Sequence, residues 1–166
     1  MKQHVRTTCF VALAVLSVPL LAQQADPSVN ANCKPVFADL VEDASTDCKP
    51  GHTTCFLGQV DGNHGLRGQT YFRSDSGAAG PRTSPGFVSY SGEFEYVTDR
   101  GVLVVRETGV VNQAPNVPSS GAVTAHQQIV SGTDDFSGAT GYLFVSGFNK
   151  NQHVVTKVTG EICVAK

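Results

Sequence analysis

The chain has 166 residues, 40% of them hydrophobic, with 12 basic and 14 acidic side chains. A formal net charge of −2 argues against nucleic acid or an anionic membrane surface as a partner. The length suits a single domain with a real core behind a short leader.

Residues 1–22 read as a signal peptide. Lys2 and Arg6 make a basic start, and Phe10 to Ala22 is an apolar run of 13. That run is too short to span a bilayer comfortably and the right length for a signal h-region. With cleavage after Ala22, the protein is expected to be secreted or periplasmic, with no membrane attachment afterwards. Cys33 does not suit a lipoprotein acceptor, because Asn30, Ala31 and Asn32 precede it.

Residues 23–52 read as an N-terminal arm. Its Val36, Phe37, Leu40 and Val41 fit a short helical turn or an irregular segment on the surface of the domain. Cys9 leaves with the leader, so Cys33, Cys48, Cys55 and Cys163 remain. An even number in an exported chain favours two disulfides over zinc, and no Cys-x-x-Cys spacing occurs. The preferred pairing is Cys33–Cys48, fastening the arm, and Cys55–Cys163, joining the first and last expected strands where a closed sheet would bring them together. Cys48–Cys55 with Cys33–Cys163 is the alternative.

Residues 53–166 read as all-β. All 17 glycines lie between Gly51 and Gly160. They separate short runs rich in Val, Phe, Tyr and Thr, which suggests a barrel or sandwich. Strands are expected near Thr53–Val60, Leu66–Arg73, Gly86–Thr98, Val102–Gln113, Ala122–Val130, Gly141–Gly147 and His153–Val164. Ser74 to Pro85 reads as a long Gly/Ser/Pro-rich loop. Alternation assigns faces. Val88, Tyr90, Phe94 and Tyr96 share one face of their strand, with Glu93 and Glu95 on the other. Val154, Val158 and Ile162 share one face of the last strand. In Val102–Val111, Arg106 lies among valines on one face and Glu107 among Leu103, Val105 and Val111 on the opposite one. One of the two charges therefore faces the interior.

Between the sixth and seventh strands runs Ser131-Gly132-Thr133-Asp134-Asp135-Phe136-Ser137-Gly138-Ala139-Thr140-Gly141-Tyr142. Gly132, Gly138 and Gly141 mark a compact turn. Phe136 is its one large apolar residue, so the turn is expected to fold over the end of the sheet and drop Phe136 into the core. This run resembles the Gly-Gly-Thr-Gly-x-Phe-x-x-Ala-x-Gly turn of the allene oxide cyclase and dirigent-like barrels, including small secreted bacterial proteins of that type. It keeps Gly132, Thr133, Phe136, Ala139 and Gly141, and departs at Ser131 and Asp134. The resemblance implies a closed antiparallel β-barrel of about eight strands, here disulfide-stapled, with a central cavity. One strand more than the seven read above is then required. No catalytic residue of those proteins maps onto a matching motif here, and a barrel hosts many functions.

Candidate site residues follow from the faces. An inward Arg106 would clamp a carboxylate or phenolate bidentately, Glu107 is the alternative inward charge, and His126 on the next strand would join Arg106 in a polar cavity. Glu93 and Glu95 stand roughly 7 Å apart along their strand, a spacing compatible with inverting glycoside hydrolysis but equally with a solvated face. No nucleophile elbow, phosphate loop or dinucleotide fingerprint occurs, and no metal or cofactor is expected. The functional expectation is non-catalytic binding of a small apolar or aromatic molecule. A cyclase or isomerase acting in the cavity, and an adhesion module with a filled barrel, are the alternatives.

Overall fold

The computed structural model describes residues 31–50, 55–114 and 117–165. The leader, Cys9 and the lead-in to Asn30 lie outside the described residues. Eight strands run β1 (Ala31–Ser45), β2 (Cys55–Gly62), β3 (Arg67–Ala79), β4 (Phe87–Thr98), β5 (Gly101–Ala114), β6 (Val117–Gly132), β7 (Thr140–Lys150) and β8 (His153–Ala165). Each pairs antiparallel with the next, and β1 pairs with β8 to close the barrel. Closure leaves no sheet edge to template aggregation.

The strand missing from the sequence reading is β1. The segment expected as a surface arm is a barrel strand 15 residues long. Val36, Ala38, Leu40 and Glu42 are buried, while Phe37, Asp39, Val41 and Asp43 face out. The outward Phe37 and Val41 beside the inward Val36 and Leu40 imitate a helical repeat. That coincidence hides a period of two. The loop expected over Ser74–Pro85 is shorter as well, because β3 continues past a register shift at Ser74/Ser76 to Ala79.

The cysteines pair Cys33–Cys163 and Cys48–Cys55, which overturns the preferred pairing. Cys33 stands directly opposite Cys163 in the β1–β8 ladder. Cys48 lies beyond the other end of β1, and an extended strand at about 3.3 Å per residue separates it from Cys33 by several times the ~7 Å limit for bridging Cα atoms. Two disulfides of this kind imply an oxidising compartment. The only grouping of three metal-binding side chains among the described residues, Cys33, Cys163 and Glu161, contains this disulfide and so offers no thiolate.

One end of the barrel is plugged. Asp134–Phe136 forms a single 3-10 turn, pinned to the β4–β5 hairpin. The Asp135 N–H donates to the Arg100 carbonyl at 3.1 Å, the Val102 N–H donates to Thr133 Oγ1 at 3.0 Å, and Arg100 pairs with Asp135 at 2.5 Å. Phe136 is 3% exposed and joins the core cluster with Leu66, Leu103 and Ile129. Gly132 is required by close approach, because a Cβ there would sit 2.4 Å from the Phe136 carbonyl oxygen. Gly138 and Gly141 hold φ of 68° and 122°, left-handed values that suit glycine.

Candidate functional site

The opposite half of the barrel is not filled. A cavity of about 210 Å3 lies inside it, lined by Phe56, Phe72, Tyr90, Val111, Val123, Val145 and Val154 together with Glu42, Glu107, Ser74, Asn149 and Thr156. It shares Phe56, Val111 and Asn149 with a groove across the rim beside Cys55.

Strand register builds the polar floor. Glu107 of β5 stands opposite Gly92 of β4 and Gln127 of β6. Tyr90 reaches over Gly109, where a Cβ would sit 2.5 Å from the tyrosine ring. Glycine there makes the room that lets the phenol meet the carboxylate. Tyr90 donates to Glu107 Oε1 at 2.9 Å, and Gln127 Nε2 donates to Oε2 at 2.5 Å. Tyr96 in turn donates to Gln127 Oε1 at 2.7 Å, which orients the amide. Both oxygens of Glu107 are thus satisfied by donors suited to an ionised carboxylate.

Glu42 of β1 is supported differently. It is 7% exposed, and its one donor among the described residues is the Thr70 hydroxyl at 3.4 Å. A Cβ on Gly58 would crowd the Glu42 side chain, so Gly58 opposite it on β2 makes its place. Burial, then repulsion from Glu107, pushes the Glu42 carboxyl up to about 8, against the weak pull of Thr70. Burial holds the Glu107 carboxyl above its ordinary range too, and the hydrogen bonds from Gln127 and Tyr90 only partly offset this. Burial holds the Tyr90 and Tyr96 phenols well above their ordinary range, so both remain donors. The two carboxyl groups therefore share one apolar chamber in unlike environments.

Of the residues singled out in the sequence, Glu107 lines this cavity and the other two candidates do not. Arg106 points outward, where it holds Asp75 bidentately at 2.5 and 2.8 Å and also donates to Ser91 Oγ at 3.0 Å. His126 is on the outer face too, stacked on Tyr142 with ring centroids 6.3 Å apart and edge-on to Phe144 at 5.3 Å. The reason is parity. Leu103, Val105 and Glu107 face in, so Arg106 must face out. Gln127 faces in as the partner of Glu107, so His126 must not. Glu93 and Glu95 also lie on the outer face and pair with Arg73 and Lys49.

Sequence reasoning missed Glu42, Tyr90 as a polar group, and Gln127. The alternation Val36-Ala38-Leu40-Glu42 was available to find the first, because a charged residue in phase with three apolar ones marks an inward position. Comparison with protein-family models, with curated proteins and with solved structures gives no match for this chain.

Proposed function

We propose that the barrel interior binds a small, mostly apolar molecule, and that the protein works as a secreted binding protein of the allene oxide cyclase or dirigent-like barrel type. The observation that carries this reading is the cavity itself. Its 210 Å3 exceeds the ~150 Å3 that suffices for benzene, and falls short of the ~300 Å3 at which drug-sized sites begin. A single ring with short substituents fits. The filled-barrel alternative is disfavoured by the same space. The outward faces carry Asp39, Asp43, Arg73, Arg106 and Lys157, which does not suit a lipid-facing barrel.

A second reading, an isomerase or cyclase, is favoured by one observation. Two buried carboxyls in one cavity, Glu107 held by two donors and Glu42 pushed up to about 8, can act as base and acid.

The binding reading is tested by titrating small aromatic compounds such as benzyl alcohol into the protein and into Val123→Phe, followed by calorimetry. Saturable binding to the native chain and its loss in the filled variant are expected. Equal response of both chains would place any binding elsewhere and overturn the proposal.

A further inference from the structure

We propose that the ligand of this cavity is a small protonated amine, its ammonium group set against Glu42 and Glu107 and its apolar body against Phe56, Phe72 and Tyr90. This deepens the binding proposal and rests on it.

The first argument is the hydrogen-bond inventory. The donors around the chamber are already engaged. Tyr90 and Gln127 donate to Glu107, Thr70 to Glu42, Thr156 Oγ1 to the Leu40 carbonyl at 3.5 Å and Ser74 Oγ to the Ser76 carbonyl at 3.1 Å. What remains to a guest is acceptor capacity. Asn149 Oδ1 is a buried oxygen with no partner among the described residues, and Asn149 is one of the residues lining the cavity. Apart from the proton that Glu42 itself holds and the Asn149 amide N–H, a guest that only accepts hydrogen bonds finds no donor among these groups, whereas an ammonium finds several oxygens.

The second argument is charge. Neither Glu42 nor Glu107 has an ion-pair partner among the described residues, and among those residues no Lys, Arg or His lines the cavity. A buried carboxylate is ordinarily paired, and without a partner burial favours the protonated form of both groups, so a cationic guest supplies the partner that lets them ionise. The third is the wall. Phe72 contacts Phe56 with centroids 6.3 Å apart and meets Tyr90 edge-on at 5.6 Å. Aromatic faces attract an organic cation, whereas a hydrated metal ion calls for more oxygen ligands than two carboxylates and an amide.

The proton balance is specific. The titratable groups facing Glu42 are Glu107 of β5 and Tyr90 and Tyr96 of β4. At pH 7 Glu42 holds its proton in the empty cavity. An entering ammonium favours the carboxylate, so the Glu42 O–H bond breaks and the proton leaves to buffer while the amine keeps its own.

The test compares benzylamine, benzyl alcohol and benzoate by calorimetry at pH 7, in two buffers of different ionisation enthalpy. Benzylamine is expected to bind at least ~10-fold tighter than benzyl alcohol, a factor worth about 1.4 kcal/mol, with release of up to about one proton. Benzoate is expected to bind weakest. In a Glu42→Gln/Glu107→Gln chain, shown folded by circular dichroism, the preference for benzylamine over benzyl alcohol and the proton release should vanish. Benzyl alcohol binding as tightly as benzylamine would overturn the amine proposal and leave cavity binding standing. Preference that survives in the double variant, or displacement of benzylamine by millimolar calcium, would overturn it too. Failure of all three compounds to bind would overturn both proposals.

Discussion

The two ends of this barrel are built from one alternating pattern and finished in opposite ways. At the β6–β7 end, Phe136, Leu66 and Leu103 fill the lumen and a 3-10 turn seals it. Toward the β7–β8 end, glycines stand across from or beside the long inward groups Glu42, Tyr90 and Glu107, and the lumen stays open. An eight-stranded barrel has just enough interior for side chains to fill it or for one small ligand, and here it does both in sequence. The apolar plug lies at one end and the buried polar groups and open space at the other. The disulfides follow the same division, with Cys33–Cys163 bridging β1 to β8 toward the plugged end and Cys48–Cys55 closing the loop at the open rim.

That division is broken most severely by removing the first disulfide. Cys33–Cys163 and Cys48–Cys55 close loops of sequence separation 130 and 7. Chain-entropy arithmetic gives about 5 kcal/mol for the first and about 2 kcal/mol for the second. Urea unfolding of the Cys33→Ser/Cys163→Ser and Cys48→Ser/Cys55→Ser chains checks the order. Equal losses would mean that the ends do not differ in this respect. Phe136→Ala comes next, at about 3–5 kcal/mol for a buried ring that leaves a cavity behind. A loss below about 1 kcal/mol, the size of ordinary surface effects, would mean that the plug contributes little to holding the barrel shut.

What was legible in the sequence divides along the same line. The plug was read from a turn whose glycines and lone phenylalanine have a local meaning that needs no knowledge of neighbours. Strands β2 to β8 were legible because runs rich in Val, Phe, Tyr and Thr lie between turn residues, with clean alternation in β8 at Val154, Val158 and Ile162, although β3 runs on past its expected end. The open end was not legible, for three physical reasons. In β1 the outward Phe37 and Val41 masked the alternation, so Glu42 was lost with its strand. Arg106 and Glu107 are adjacent, and parity says only that one faces in. The choice depends on Gln127 and Tyr90 standing where they can donate to a carboxylate, which is a matter of cross-strand register. The disulfide pairing also turned on β1, because a strand holds Cys33 and Cys48 far apart where a coiled arm would not.

A pH-dependent effect of similar size sharpens the picture of the open end. The Glu42 carboxyl titrates at about 8 in the folded chain against an ordinary 4.5. Between those values the unfolded chain binds fewer protons than the folded one. Stability therefore falls as pH rises through this window, by up to about 1.4 kcal/mol per pH unit, and the loss is complete once pH passes the folded value. Glu42→Gln removes one ionisable group and leaves Glu107, which burial also raises, so its unfolding midpoint should decline less steeply from pH 5 to 8 than that of the native chain. Parallel curves for the two chains would show that the buried carboxyl at the open end is not the source.

The least disruptive change is Arg106→Ala, and its interest lies in the contrast with its neighbour. Arg106 and Glu107 are consecutive residues of β5. The first is an exposed partner of Asp75 on the outer face, and the second is 5% exposed and holds two internal hydrogen bonds. Exposed ion pairs contribute little because water and salt screen them. Arg106→Ala should therefore leave the unfolding midpoint and benzyl alcohol binding unmoved. Glu107→Ala should lower the midpoint, because it strands the buried Gln127 amide and the Tyr90 hydroxyl without their acceptor. If Arg106→Ala weakened binding and Glu107→Ala did not, the wall of this site would be the outer face of β5, and the assignment of the cavity as the functional half of the barrel would fail.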